Sequence, residues 1–490
     1  MTTSQSHVVP GNEKPAADLL GHPRGLITLA GTELWERFSF YGLQVILAYY
    51  LYFSITDGGL GLPMTVALGV TGSYGGAIYI AQMLGSWLAD RLVGARYVVL
   101  VGATMIMLGH IALAAIPAVP GLITGLVLIV LGTGGLKVNV TAMVGALYSR
   151  EDTRRDSGYS IYYMGISLGA FLGPVLTGFL QSEVGFHVAF SAAAVGMALG
   201  LVQYVSGWRR LPESTRRPAK PLTAQGRRRG LLVAVVSVTA IVLMASTGVI
   251  NLSNISTVTT GVIVMATLAY FGVILSSRSL SKTERNKVVA YIPVFIGTVV
   301  FWLLLLQLFT TFAVYADTRV DLSIGSFDVP AAYVITAEGL FATILAPVIA
   351  ALWFKLGVRQ PSSLVKIAGG LLVLAAAYAV FALAAWAEVP KVSIWIAMFG
   401  MLLFGLGEVT VAPVAMSSTT RLAPAAFPSQ MMALYFLTMA AGSTLAGTVA
   451  QFYDPANEAA FFTITTVGAV AISAALLGLA PLAKRLSGER

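Results

Sequence analysis

The chain has 490 residues, of which 57% are hydrophobic and only 10% are charged. Soluble proteins carry about 25% charged residues, so this composition excludes a soluble globular protein and indicates an all-α polytopic membrane protein. The sequence has no cysteine and four isolated histidines, which excludes disulfides and thiolate metal sites and offers no histidine cluster to a metal ion.

Residues 1–26 are polar, lack the features of a signal peptide and are expected to form a disordered cytoplasmic tail. A transmembrane helix needs about 20 mainly apolar residues. Fourteen segments of the chain meet this requirement. They are residues 27–53, 66–90, 97–116, 121–147, 157–180, 187–206, 230–249, 256–276, 290–315, 331–354, 364–386, 393–416, 429–451 and 459–482.

The distribution of Lys and Arg predicts the orientation of these helices. With both termini in the cytoplasm, nearly all of these residues fall in cytoplasmic segments. Arg319 and Lys391 fall in outer loops, and Arg37 and Lys137 fall within spans. The net charge of +9 therefore reflects topology and contact with anionic membrane lipids, not nucleic-acid binding. We expect a protein of the cytoplasmic membrane with a bundle at 27–208, a basic linker and inserted helix pair at 209–287, and a second bundle at 288–490.

Asp90 and Lys366 lie at the cytoplasmic ends of their spans. Six other charged residues fall deeper inside predicted spans, where an isolated charge costs roughly 2.5–3.5 kcal/mol. They are Glu33, Glu36, Arg37, Lys137, Glu338 and Glu408. They come from four different segments, so we expect them to meet in one interior cavity, and a cavity lined by both signs suits a zwitterion. At α-helical spacing, Glu33, Glu36 and Arg37 lie on one face of their helix. Because this set has two carboxylates and one cation, one carboxylate can take up a proton. The alternative is an ion pair that only holds two helices together.

The run from Gly85 to Gly94 has the form of the loop motif of the major facilitator superfamily. Asp90 can cap a neighbouring helix and pair with a basic group, so Asp90 and Arg91 are candidate gating residues. The alternative is an ordinary cytoplasmic turn.

Longer motifs resemble those of the proton-dependent oligopeptide transporters, a family within that superfamily. Glu33 to Gly42 resembles its first-helix motif, Gly132 to Asn139 its fourth and Asp156 to Ile166 its fifth. The seventh-helix motif of the family is resembled by Phe301-Trp302 with Gln307. Its tenth-helix and eleventh-helix motifs are resembled by Gly407 to Pro413 and by Ser429 to Met432. The resemblance implies the major facilitator fold, with two six-helix bundles plus a two-helix insertion, and proton-coupled import of di- and tripeptides by alternating access.

The resemblance also implies roles for single residues. Glu33, Glu36 and Arg37 belong to proton coupling, Arg37 and Lys137 hold the peptide carboxylate, and Glu408 receives the amino group. Tyr41, Tyr74 and Tyr163 match aromatic positions of the pocket, although helix packing explains single aromatics equally well. Asn139 either orients Lys137 or bonds a neighbouring helix. Protons are the coupling ion, no cofactor is expected, and the chain is expected to work as a monomer.

Several pocket positions depart from the family pattern. Leu306 stands where the seventh helix usually has Glu, whereas Glu338 stands where the eighth usually has Asn. We hypothesise that Glu338 replaces the missing carboxylate and supplies the negative charge that Lys137 or the substrate amine otherwise lacks. The alternative is that Glu338 is solvated and inert near the outer end of its helix. Ser167 and Tyr435 replace Asn and Trp. Because these positions touch the expected pocket, the alternative to di- and tripeptides is a substrate that is another small zwitterion, an anion or a peptide-mimetic drug. An enzyme is disfavoured because no metal-ligand set or nucleophile motif is present.

Overall fold

The computed structural model describes residues 18–19, 21–149 and 152–488, and most of these residues are helical. The first bundle contains α1 (Gly25–Tyr52), α2 (Met64–Leu88), α3 (Ala95–Ala115), α4 (Ala118–Ala146), α5 (Arg155–Glu183) and α6 (Phe186–Ser206). The inserted pair is α7 (Ala224–Ser246) and α8 (Ile255–Ser276).

The second bundle follows the inserted pair. It contains α9 (Lys282–Leu305), α10 (Thr311–Arg319), α11 (Ala331–Leu356), α12 (Ser363–Trp386), α13 (Ile394–Leu422), α14 (Pro428–Ala450) and α15 (Glu458–Ser487). Because α9 begins at Lys282, this bundle starts before the boundary predicted at 288. The segment predicted as one helix at 290–315 is broken by a 3₁₀ turn at Leu306–Phe309.

The fourteen predicted spans are present as helices. Within the described ranges, thirteen helical stretches are long and apolar enough to cross a membrane, with α9, its 3₁₀ turn and α10 forming one stretch, Lys282–Arg319. The fourteenth is α1, whose 28 residues extend about 42 Å at 1.5 Å per residue. Its charged residues, and not its length, set it apart from the others.

Strands are short and lie in the connections. Asp18–Leu19 pairs with His22–Pro23 in antiparallel fashion, Val320–Asp321 with Val392–Ser393 in parallel, and Ser323–Ile324 with Phe327–Asp328 in antiparallel. Of the predicted tail 1–26, residues 1–17 and 20 lie outside the described residues. The remainder is ordered in part, because a ring nitrogen of His22 lies 3.0 Å from the Tyr148 hydroxyl.

The two bundles meet on the face away from the chain termini, which we call the distal face. α1 packs there on α10, α2 on α14, and α5 on α11. Glycines allow the closest approach: a Cβ atom on Gly72 of α2 would lie 2.5 Å from the Cα atom of Gly447 in α14. The Ser443 hydroxyl donates to the Gly72 carbonyl at 3.0 Å, and α8 covers this seam by packing on both helices.

The face that holds the termini, the terminal face, is open between the bundles. Every hydrogen bond that joins the bundles directly, within the described part of the chain, lies on the distal side. In contrast, Tyr163 and Met164 in the terminal half of α5 are 65% and 58% exposed. The structure therefore holds a central cavity that is closed at the distal face.

Candidate functional site

The charged residues of α1 form one buried cluster, as their spacing predicts. Glu33 and Glu36 are fully buried and Arg37 is 1% exposed. The Arg37 guanidinium lies 3.5 Å from the Glu33 carboxylate and 2.5 Å from that of Glu36, and it lies 4.6 Å from the centre of the Phe40 ring. Because one cation faces two carboxylates, α1 alone carries a net negative charge.

Lys137 of α4 is the second cation of this cluster. It is half-buried and interacts electrostatically with all three charged groups of α1. α4 reaches this position because Gly134 packs directly on α2, where a Cβ atom would lie 2.5 Å from the carbonyl carbon of Ala81. With Lys137 the cluster is balanced, so protonating either Glu releases a cation from its partner. We call these four residues the first-bundle cluster.

The second bundle presents two carboxyl groups to the cavity, one from α11 and one from α13. Glu338 is 8% exposed and Glu408 is half-buried, and the two carboxyl groups interact electrostatically. The helices approach closely because Gly405 has no side chain: a Cβ atom there would lie 3.0 Å from the carbonyl oxygen of Glu338. We call this the carboxyl pair.

This arrangement bears on the hypothesis that Glu338 replaces the carboxylate missing at Leu306. The group beside Glu338 is Glu408, whereas the anions beside Lys137 are those of α1. Of the two roles that we considered for Glu338, the arrangement favours the substrate amine over Lys137. Glu338 is also buried, which disfavours the alternative of a wet, inert side chain.

Tyrosines connect the two charged sites. Tyr41 interacts electrostatically with Arg37 and with both members of the carboxyl pair. The exposed ring of Tyr163 lies in the cavity, and its hydroxyl interacts with Glu408 and Glu33. Tyr435 interacts with Glu408 and Tyr163. The cavity is thus lined by aromatic hydroxyls between a cluster that contains both cations and a purely acidic pair.

Comparison with known proteins decides the family. The POT family model matches residues 96–467. The chain belongs to the POT family. It is 38% identical to an uncharacterised transporter of Bacillus subtilis, YclF, over 96% of both chains. It is 36% identical to a di-/tripeptide transporter of Lactococcus lactis subsp. cremoris, over 97% of this chain and 99% of that one.

Solved structures of the family share the fold. A mutant of the peptide transporter POT, crystallised in complex with alafosfalin, is 38% identical with a TM-score of 0.92. The match covers 96% of this chain and 97% of that one. The major facilitator fold expected from the sequence motifs is therefore confirmed, and the relatives of this POT family member are transporters.

Other predicted site residues of this POT family member serve packing or lie apart from the charged groups. Asn139 is buried and donates hydrogen bonds to the carbonyls of Gly85, at 3.2 Å, and Gly135, at 2.7 Å. It therefore bonds a neighbouring helix, one of the two roles considered for it. Gln307 is fully buried in the 3₁₀ turn and accepts a hydrogen bond from Thr311.

Two further predicted residues lie on cavity-forming helices. Tyr74 is 4% exposed and interacts with Glu36 and Arg37. Ser167 is half-buried on α5. Their roles in substrate binding stay predictions.

The candidate gating residues lie where α2 ends in a π-helical turn, Ala89–Val93. The Asp90 carbonyl accepts a hydrogen bond of 2.9 Å from the Lys220 amide, and the Arg91 carbonyl accepts one of 3.1 Å from the Leu222 amide. The basic linker is thereby tied to this turn through the backbone. Across the described residues, the Asp90 carboxylate forms no hydrogen bond or ion pair, so its gating role stays a prediction.

Two tyrosines of the site were missed by the sequence analysis. Tyr79 of α2 interacts with Arg37, Tyr435 and Glu408. Tyr162 of α5 shares a hydrogen bond of 2.9 Å with Thr141 and also interacts with Glu33. Nothing in an apolar helix marks which tyrosine faces the cavity, so only the packing of the bundles identifies them.

Proposed function

We propose that this protein is a proton-coupled symporter that imports di- and tripeptides by alternating access. It resides in the cytoplasmic membrane with both termini in the cytoplasm and works as a monomer. The observation that carries the proposal is the placement of charge. Both cations lie in the first bundle and the carboxyl pair lies in the second, so opposite ends of a zwitterion meet opposite bundles. The relative from Lactococcus lactis named as a di-/tripeptide transporter supports the choice of substrate.

The peptide binds across the cavity. Arg37 and Lys137 bind its carboxylate, because two cations facing one cavity form an anion site. The carboxyl pair binds its amino group. Tyr41, Tyr163 and Tyr435 line the space between the ends and present hydroxyls to the peptide backbone.

Proton coupling works through a shared partner. In the structure Arg37 is held by Glu33 and Glu36. A proton that binds Glu33 or Glu36 weakens the attraction of that carboxyl group for Arg37, and Arg37 is then free to bind the peptide carboxylate. Loss of the proton on the cytoplasmic side returns Arg37 to Glu33 and Glu36, and the peptide is expelled. The closed distal face corresponds to the inward-facing state of this cycle.

The altered pocket positions favour one second candidate on the same scaffold, a proton-linked transporter of another small zwitterion, anion or peptide mimetic. Counterflow separates the two. Vesicles loaded with unlabelled dialanine and diluted into labelled dialanine should take up label, and tripeptides should compete. Free alanine and dialanine blocked at either end should compete poorly. Competition by free amino acids but not by peptides would favour the second candidate.

A further inference from the structure

The carboxyl pair lacks a protein partner for its charge. Glu338 and Glu408 form no ion pair within the described ranges, and the ionisable partner of Glu338 is Glu408 itself. Within the described residues, one carboxylate oxygen of Glu338, Oε1, is buried without a hydrogen-bond partner. Buried charges are normally paired. The pair is therefore built for a cation that the protein does not supply.

Among the described residues, the groups that interact with the pair from outside it are tyrosine hydroxyls, and none of them is a cation. Tyr41 from α1, Tyr79 from α2, Tyr163 from α5 and Tyr435 from α14 interact with Glu408, and Tyr41 also interacts with Glu338. The close crossing of α11 and α13 at Gly405 brings the two carboxyl groups together, and adjacent carboxylates repel each other when both are ionised. We therefore expect the empty site to hold one proton between them. A single peptide ammonium group neutralises the one remaining charge.

We propose that the carboxyl pair selects peptides whose first residue carries a second positive charge, and that this charge takes the place of the shared proton. The proposal rests on the proposed function. When a neutral peptide binds, its ammonium group contacts the pair and the proton stays. When the first residue has an amino side chain, its second ammonium group binds the freed carboxylate, and the O–H proton passes to cavity water. The local charge is the same before and after the exchange.

Calorimetry on the full-length protein in detergent tests this directly. Lysyl-alanine should bind about tenfold more tightly than dialanine, the effect of one charge-assisted hydrogen bond. In buffers of different ionisation enthalpy its binding should release about one proton more than that of dialanine. Alanyl-lysine should behave like dialanine because its charge lies at the other end. Glu338→Gln should bring the affinity ratio close to one, whereas Glu183→Gln, at the exposed end of α5, should preserve it.

Equal affinities in the wild type, or a ratio that Glu338→Gln leaves intact, would overturn the proposal. Failure of every peptide to bind would instead overturn the proposed function, and infrared spectroscopy of the ligand-free protein then decides on the pair. The wild-type spectrum at neutral pH should contain a protonated-carboxyl band that the spectrum of Glu338→Gln lacks, because that substitution removes the buried member of the pair. Identical carboxyl bands in the two proteins would show that the two groups share no proton.

Discussion

The hydroxyl of Tyr49 in α1 donates a hydrogen bond of 3.0 Å to the carbonyl of Ala313 in α10 and so ties the two bundles together at the distal face. Tyr378 makes the same kind of bond, 2.9 Å to the carbonyl of Leu304, but entirely inside the second bundle. Both tyrosines are buried. They form a matched pair that separates an effect on gating from an effect on folding.

Tyr49→Phe should shift the protein toward a state that is open at the distal face. A hydrogen bond contributes about 0.5–1.5 kcal/mol, so the ratio of closed to open forms should fall roughly 2- to 10-fold. The chain has no cysteine, so spin labels can be placed at Ile55 and Phe327, exposed residues of distal loops in different bundles. Longer label distances should gain weight in Tyr49→Phe and not in Tyr378→Phe. Identical distance distributions in all three proteins would contradict this role of Tyr49.

The glycine contact between α2 and α14 should be equally sensitive. A methyl group at Gly72 would meet the backbone of α14, and such overpacking costs about 1–3 kcal/mol. Gly72→Ala should therefore open the distal face in the same label experiment and slow transport. Gly478→Ala in α15 is the control, since, apart from its neighbours and its own helix backbone, no atom of the described residues lies within 4 Å of its Cβ position. If both variants transported at the same rate, the seam would not need close packing.

Glu33→Gln should separate binding from energy coupling. The amide cannot take up a proton, yet it keeps the size of the side chain that fills the buried cluster beside Arg37. Exchange of peptide across vesicles without a gradient should persist, whereas accumulation against a concentration gradient should be lost. Accumulation retained by Glu33→Gln would argue against a coupling role for this carboxylate.

Glu338→Gln should disable proton-driven uptake. The substitution leaves Glu408 alone to carry the negative charge of the pair, and it removes the carboxyl group with which Glu408 is proposed to share a proton. Initial rates of uptake under an inward proton gradient measure the effect. Uptake at the wild-type rate would remove Glu338 from the coupling mechanism.

Much of this architecture was predictable from the sequence because a bilayer imposes strict rules. Helix length and the cost of buried charge identified the spans and required Glu33, Arg37 and Lys137 to meet. The break in α9 was not predictable, since no Pro or Gly lies between Leu305 and Thr311. There the Thr310 amide donates to the carbonyl of Gln307, three residues earlier, at 3.1 Å, which is the 3₁₀ pattern.

Long-range packing was also beyond the sequence. The electrostatic interaction of Glu338 with Glu408 depends on the close crossing of α11 and α13 at Gly405, and separate helix patterns do not show which residues cross. The same holds for Tyr79, which faces the cavity only because α2 turns that side toward the second bundle. Closure of the distal face likewise reflects contacts between bundles, which motifs within single helices do not encode.

The most direct test of the central claim is accumulation of radiolabelled dialanine in proteoliposomes, measured with and without an inward proton gradient. Proton-coupled symport predicts that the internal concentration rises above the external one only when the gradient is present, and that a protonophore abolishes the excess. Uptake that equilibrates equally with and without the gradient would contradict coupling through the first-bundle cluster and leave this protein a passive carrier.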